Sequence, residues 1–182
     1  MKAEISKILL VDDEPSILFS ISRLLKGYDV STATSGEEAL LLANRLNFDL
    51  VISDYKMPSM NGLIFLSKFM LIQPDAIRII LTGFPDLEMS IHAINDVGVF
   101  RFINKPWTNI DIINTVERGL AMKKVLLENR ALANEVRQQQ ALISQQEIIL
   151  KNLEAEEPGI TKVNWGPDGT IILCEDDYPP SD

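Results

Sequence analysis

Short, nearly continuous apolar runs alternate with segments of helical periodicity through the first two thirds of the chain. Such runs are typical of strands buried on both faces of a parallel sheet that is covered by helices. We predict strands near residues 7–11, 29–33, 49–53, 77–81 and 99–103, and helices near 17–25, 37–46, 63–70 and 87–94. This alternation predicts an α/β domain with a doubly wound, five-stranded parallel sheet and right-handed crossovers.

The last helix has no evident stop after Thr108, because Pro158 is the next proline and Gly119 is the only glycine before residue 159. It can run for about 45 residues, or about 65–70 Å. In one heptad frame, seven of ten core positions are apolar. The a positions are Met122, Asn129, Val136, Ile143 and Leu150, and the d positions are Val125, Leu132, Gln139, Gln146 and Leu153. We therefore predict a first domain over 1–121 and a coiled-coil extension over 122–157.

The segment 158–182 predicts a short β-hairpin and an acidic tail. Two short runs of strand character, 160–165 and 170–173, flank the sequence Gly-Pro-Asp-Gly. Proline presets the backbone of such a turn and glycine tolerates positive φ. The acidic and proline-rich end that follows is typical of a solvated tail.

The amino-acid composition excludes several classes of protein. Apolar residues make up 46% of the chain and charged residues 24%, which is ordinary globular usage. No apolar run is long enough for a bilayer and the first residues lack a secretory pattern, so we expect a cytoplasmic protein with no membrane partner. Cys174 and His92 are each the only residue of their type, which excludes an intrachain disulfide and a multi-histidine metal site.

The net charge of −9 argues against nucleic-acid binding. More than half of that charge lies after residue 120, in the part of the chain where an output domain would be. Binding to DNA relies on basic side chains that displace condensed counterions. We therefore expect no direct DNA binding by this chain.

Polar side chains follow four of the predicted strands. Asp12 and Asp13 follow the first strand, Asp54 the third, Thr82 the fourth and Lys105 the fifth. In a doubly wound sheet, ligands bind outside the carboxyl ends of the strands, where the strand order reverses. We expect three carboxylates, a hydroxyl and an ammonium to converge at this edge.

These groups suit phosphoryl transfer to a carboxylate. The three acids would repel one another unless a divalent cation lay among them, and Mg²⁺ is a hard ion that takes oxygen ligands. Asp54 can attack phosphorus, while Lys105 and the metal neutralise charge on the phosphoryl oxygens and Thr82 donates a hydrogen bond. Taken singly, paired acids after a strand are usually a solvated helix cap, so the combination carries the prediction.

Residues 5–121 resemble a response-regulator receiver domain. The matching motifs are VDDEP at 11–15, DYKMPSMNG at 54–62, LTG at 81–83 and KP at 105–106. The resemblance implies a flavodoxin-like receiver fold that accepts a phosphoryl group on Asp54 from a sensor histidine kinase or a phosphotransfer protein. It also implies that Asp13 and Asp54 ligate Mg²⁺ directly, Asp12 acts through water, and the Lys56 carbonyl completes the protein ligands.

The resemblance extends to the response of the domain. Thr82 and Lys105 would bind the phosphoryl oxygens, and Phe102 falls at the switch aromatic, which turns inward when the threonine moves toward the phosphate. The Lys105–Pro106 bond would be cis. Asn61 departs from the common aspartate before Gly62 but can cap a helix equally well. Slow loss of the phosphoryl group is expected, because large residues stand at 56 and 84.

Three other hypotheses compete with the receiver-domain interpretation. A haloacid-dehalogenase-like phosphatase needs a second acid two residues after its nucleophile, where this chain has Lys56. A flavodoxin-like cofactor binder needs a phosphate-cradling loop after the first strand, where this chain has acids. A dimeric scaffold with a vestigial phosphorylation site keeps the fold but not the chemistry. We favour a phosphoacceptor signalling protein, not an enzyme acting on other substrates, that dimerises through its coil and acts on an unidentified downstream protein.

Overall fold

The computed structural model describes residues 5–83 and 97–156. The predicted helix near 87–94 and the predicted hairpin and tail of 158–182 lie outside the described residues. His92, Phe84 and Cys174 also lie outside them.

The five described strands form one parallel sheet in the order β2-β1-β3-β4-β5. They are β1 (Lys7–Val11), β2 (Asp29–Ala33), β3 (Leu50–Asp54), β4 (Ile77–Thr82) and β5 (Arg101–Asn104). The helices are α1 (Pro15–Leu24), α2 (Gly36–Ala43), α3 (Gly62–Ile72) and the long α4 (Asn109–Glu156). The predicted doubly wound α/β fold and the long terminal helix are confirmed. The limits of β1 and β2 match the predicted ones, and those of the other three strands differ by no more than two residues.

Strand β5 begins later than predicted for a backbone reason. Val99 and Phe100 continue the apolar run, but Gly98 immediately before them has a φ of +62°. This left-handed conformation turns the chain. The Phe100 N–H then donates a backbone hydrogen bond to the Arg78 carbonyl before the strand begins. Regular pairing with β4 starts where Arg101 lies opposite Ile79.

The apolar core lies on both faces of the sheet because side chains alternate along each strand. In β1, Ile8 and Leu10 face one cluster while Leu9 and Val11 face the other. Helices α1 and α4 cover the first cluster, and α2 and α3 cover the second. The near-continuous apolar runs in the sequence therefore reflect strands that are buried on both sides.

The order of the strands determines where the functional edge of the sheet lies. The chain leaves β1 toward β2 on one side of the sheet and returns to β3 on the other side of β1. The carboxyl ends of β1 and β3 are therefore neighbours at the topological switch point, where doubly wound folds bind ligands. Side chains that end these two strands must lie close together.

Helix α4 packs on the sheet through a glycine. A Cβ added to Gly119 would lie 2.9 Å from Cγ2 of Ile77 and 3.2 Å from Cδ1 of Leu50. One turn later, the Lys123 ammonium donates to Asp49 Oδ1 over 2.6 Å. The glycine and the ion pair hold this part of α4 against strands β3 and β4.

Beyond Lys123, the apolar side chains of α4 are exposed. The division of the chain into compact units falls between Glu128 and Asn129, inside this helix and after the predicted boundary at 121. Every apolar a and d residue of the predicted heptad frame is at least 42% exposed in the single chain. Among the residues that the structure describes, no helix has the length and apolarity needed to cross a bilayer.

Replacing Gly119 by valine should destabilise the protein by about 1–3 kcal/mol, because the new side chain overpacks the contact with Ile77 and Leu50. Ala141→Val is the control, since Ala141 is exposed on the same helix and the change should cost only about 0.5 kcal/mol of helix propensity. Urea unfolding of both variants measures the difference. Equal free energies of unfolding for the two variants would contradict the packing role of Gly119.

Candidate functional site

The predicted site residues stand at the carboxyl ends of neighbouring strands. Asp12 follows β1 directly, Asp54 ends β3 and Thr82 ends β4. Lys105 follows β5, and its backbone N–H donates to the Thr82 carbonyl over 2.8 Å. The parallel register therefore carries these residues to one edge of the sheet, as the sequence predicts.

One ammonium group lies between two buried carboxylates. Lys105 Nζ is 2.5 Å from Asp54 Oδ1 and 3.3 Å from Asp12 Oδ2. Asp54 and Asp12 are 5% and 2% exposed, so water solvates neither carboxylate well. Because an unpaired buried charge is costly, Lys105 is the group that makes this pair of acids tolerable in the fold.

Burial and charge act against each other at Asp12. Burial raises the pKa of Asp12, and the nearby Asp54 carboxylate raises it further. A hydrogen bond from the Glu14 backbone N–H and the Lys105 ammonium lower it, but the net pKa stays above the ordinary value. Ionisation of Asp12 is therefore less favourable in the folded protein than in water.

The same groups stabilise the charged form of Lys105. Burial alone would lower the pKa of Lys105, but the hydrogen bond to Asp54 and the nearby Asp12 carboxylate raise it above the ordinary value. Lys105 is therefore a cation at neutral pH. The edge of the sheet carries two acids and one fixed positive charge.

Asp13 does not join the two buried acids in this structure. Its side chain is exposed, and no three acidic, histidine or cysteine side chains within residues 5–83 and 97–156 form a metal-binding group. Lys56 is also exposed. The donors present still fit Mg²⁺ chemically, because the two buried acids supply oxygen ligands whose charge is only partly met by one ammonium. The ligand set of Asp12, Asp13, Asp54 and the Lys56 carbonyl stays a prediction.

A glycine shapes the loop after Asp54, a role that we did not predict. A Cβ at Gly62 would collide with the Asp54 carbonyl oxygen and would come within 3.1 Å of Ser53 Oγ. The Gly62 N–H donates to Tyr55 over 2.9 Å, which folds the loop back beneath the strand end. Ser59 in the same loop has a φ of +65°, a left-handed conformation that is uncommon outside glycine. The loop is therefore closely fitted to the end of β3.

Three finer expectations can be compared with the structure. Asn61 caps α3, with its Oδ1 accepting the Ile64 N–H over 2.9 Å, and the Lys105–Pro106 bond is cis. Phe102 is partly buried against the α2 and α3 side of the core. The Trp107 ring centroid lies 5.7 Å from Lys105 Nζ, a closeness to the site that its position two residues after the lysine indicates.

The fold and the acidic edge together define a receiver-type α/β domain. The chain matches the family described as "Response regulator receiver domain" over residues 8–117, which is more than half of its length. The chain belongs to the response regulator receiver family of two-component systems.

Curated relatives are longer proteins. The chain is 34% identical over 149 residues to the transcriptional regulatory protein GlrR of Escherichia coli K12, covering 81% of this chain and 32% of that protein. It is 32% identical over 127 residues to the C4-dicarboxylate transport transcriptional regulatory protein DctD of Rhizobium meliloti, covering 69% of this chain and 27% of that one. The chain therefore spans about a third or less of the length of these relatives.

Solved structures of receiver domains match the fold. A CheY-like response regulator receiver domain protein from Methanospirillum hungatei aligns with a TM-score of 0.64 at 31% identity, over 66% of this chain and 98% of that one. The signal receiver domain of an HD domain-containing protein from Pseudomonas fluorescens aligns with a TM-score of 0.66 at 32% identity, over 70% and 96%. The receiver fold is thus supported by structure as well as by sequence.

Asp12→Asn should stabilise the protein in EDTA at neutral pH. The folded-state pKa of Asp12 is raised, so its ionisation costs stability as the pH rises above the unfolded value of about 3.9, and the amide removes that cost. Asp13→Asn is the matched control and should change stability by no more than about 0.5 kcal/mol, because Asp13 is exposed. Thermal unfolding from pH 3 to pH 8 measures both. An Asp12→Asn variant less stable than the wild type at pH 7 would contradict this electrostatic account.

Proposed function

We propose that Asp54 is the phosphoacceptor of a two-component phosphorelay, with a sensor histidine kinase or a phosphotransfer protein as donor and Mg²⁺ as cofactor. The observation that carries this proposal is the pair of buried carboxylates sharing Lys105 at the switch point of a receiver fold. A purely structural role would not require two carboxylates buried side by side at the ends of neighbouring strands.

The transfer exchanges one bond to phosphorus for another. An Asp54 carboxylate oxygen attacks phosphorus, the bond from phosphorus to the donor atom breaks, and the donor leaves with the electron pair of that bond. The Lys105 ammonium then has phosphoryl oxygens as new partners, and the Thr82 hydroxyl donates to one of them. When bound, Mg²⁺ would be held by Asp13, Asp54 and the Lys56 carbonyl, with Asp12 acting through water, and would supply further neutralisation of the phosphoryl oxygens.

The protein is in this proposal a signalling acceptor, not an enzyme with its own substrate turnover. Its chemistry is limited to phosphoryl transfer onto Asp54 and slow loss of the phosphoryl group to water. Lys56, an exposed residue two positions after the acceptor, would obstruct water that approaches in line with the phosphorus bond. Persistence of the phosphorylated state would then give the switch time to act.

The output of the switch would pass through Phe102 to the long helix. Phe102 lies on β5 and packs against the core, and β5 is followed in the chain by Lys105 and then by α4. Movement of Thr82 toward the phosphoryl group would free space for the ring and shift the population of two packing states. Helix α4 would carry that shift to a homodimer interface and to a downstream protein.

Two observations support α4 as the dimerising element. Its apolar seam is exposed in the single chain, with Val136 at 51% and Ile143 at 54%. Both are β-branched residues at a positions, while Leu132 and Leu153 stand at d, a choice that favours two parallel strands.

The relatives named as transcriptional regulatory proteins raise a question about DNA. Their names describe proteins about two and a half times as long as this chain. The charge of −9 on residues 1–182 opposes contact with a polyanion, so we propose that any action on transcription is made through a partner protein or a further domain.

Acetyl phosphate with Mg²⁺ should add one phosphoryl group to the wild-type chain and none to Asp54→Asn. Intact mass spectrometry measures the adduct, and circular dichroism checks that the variant is folded. Asp13 and Lys105 are left intact, so loss of the adduct reports the acceptor itself. An adduct of equal yield on Asp54→Asn would refute the assignment, and no adduct on either chain would favour the scaffold with a vestigial site.

Ile143→Asp should convert the proposed dimer to a monomer, because each of the two chains then places a negative charge in the apolar seam. Ile148→Asp is the matched control, since Ile148 is 60% exposed but lies outside the a and d positions. Light scattering on the full chain at tens of micromolar measures the mass of each. A monomeric wild type, or equal loss of the dimer in both variants, would contradict the proposed seam.

A further inference from the structure

The Lys105 ammonium has a third neighbour that the proposed chemistry does not use. The Trp107 ring lies with its centroid 5.7 Å from Lys105 Nζ, within the distance at which an aromatic face attracts a cation. Tryptophan has the strongest such attraction among the aromatic side chains. The ammonium therefore has two carboxylates and an indole ring as neighbours.

The ring is held in place by the core. Trp107 is partly buried and packs against the apolar cluster that α1 and α4 cover. Ile112 and Val116 of α4 belong to the same cluster and are fully buried. A ring supported in this way is a fixed platform, whereas the lysine has a flexible four-carbon stem.

The platform limits where the ammonium can go. Lys105, Pro106 and Trp107 line an open cavity of about 420 Å³ beside the site. The Lys105 side chain is 25% exposed, so it has room to swing away from the carboxylates into this space. Attraction to the ring offsets part of the entropy that a long side chain loses when it is fixed.

We propose that Trp107 is a positioning residue for Lys105, which keeps the ammonium over Asp54 while phosphorus is attacked. This inference rests on the proposed phosphoacceptor role of Asp54. In the reaction with acetyl phosphate, an Asp54 oxygen forms a bond to phosphorus, the bond from phosphorus to the acetate oxygen breaks, and acetate leaves with that electron pair. Trp107 touches none of these atoms and acts only through Lys105.

A double-mutant cycle separates positioning from packing. The rate of phosphorylation by acetyl phosphate and Mg²⁺ is measured by intact mass in the full chain for the wild type, Trp107→Leu, Lys105→Met and the double variant. Trp107→Leu should lower the rate about two- to five-fold in the wild-type background, the factor that a partly exposed cation–π contact provides. It should change nothing in the Lys105→Met background, where no cation remains.

Aromatic rescue is the second readout. Trp107→Phe keeps a π face in a smaller side chain and should retain most of the rate, whereas Trp107→Met keeps apolar bulk without a ring and should behave like Trp107→Leu. Thermal unfolding checks each variant. If Trp107→Leu does not fold, 5-fluorotryptophan can replace Trp107 alone in a Trp165→Phe background, because Trp165 is the other tryptophan of the chain. The fluorine weakens the cation–π attraction without changing the shape of the side chain, and it should also lower the rate of phosphorylation.

The outcomes are distinct. A wild type that takes no phosphoryl group overturns the proposed function, and the positioning role with it. Normal phosphorylation of the wild type with an equal effect of Trp107→Leu in both backgrounds overturns the inference alone, because packing would then explain the loss. Equal rates for Trp107→Phe and Trp107→Met would overturn it as well.

Discussion

Two buried carboxylates sharing one ammonium are the constraint on which the rest of the site depends. Asp12 and Asp54 are almost without contact with water, and Lys105 is close to both of them. Burial keeps the pKa of Asp12 raised even with this partner, so a negative charge on Asp12 is less favourable in the folded protein than in water. Binding of a cation or a phosphoryl group would rearrange these charges. The cost of burying the Asp12 carboxylate favours such a rearrangement.

The fold supplies this arrangement through close backbone approaches. Gly62 lets the loop after β3 fold against the Asp54 carbonyl, and Gly119 lets α4 lie directly on Ile77 and Leu50. The strand order then brings the ends of β1 and β3 together at the switch point. The functional edge therefore lies at the ends of strands in the sheet. Helix α4, which would transmit the signal, follows β5 in the chain.

Much of the fold followed from periodicity in the sequence, because strands buried on both faces give continuous apolar runs and helices repeat every three to four residues. The motif residues Asp12, Asp54 and Lys105 were predicted to converge, and they do. The pattern could not give the start of β5, which depends on the backbone conformation of Gly98. The pattern also could not give the packing of Gly119 or the collision that excludes a side chain at Gly62, because both depend on three-dimensional approach and leave no periodic signal.

We propose that Lys105 exchanges its Asp54 partner for the phosphoryl group while the acids take up a cation. A crystal structure of the full chain with Mg²⁺ and beryllofluoride, a phosphoryl mimic, tests it most directly. We expect beryllium bonded to an Asp54 oxygen, a fluorine atom within hydrogen-bond distance of Lys105 Nζ, and the metal beside Asp54 and Asp13. Lys105 still paired with a bare Asp54 carboxylate under saturating beryllofluoride would contradict it.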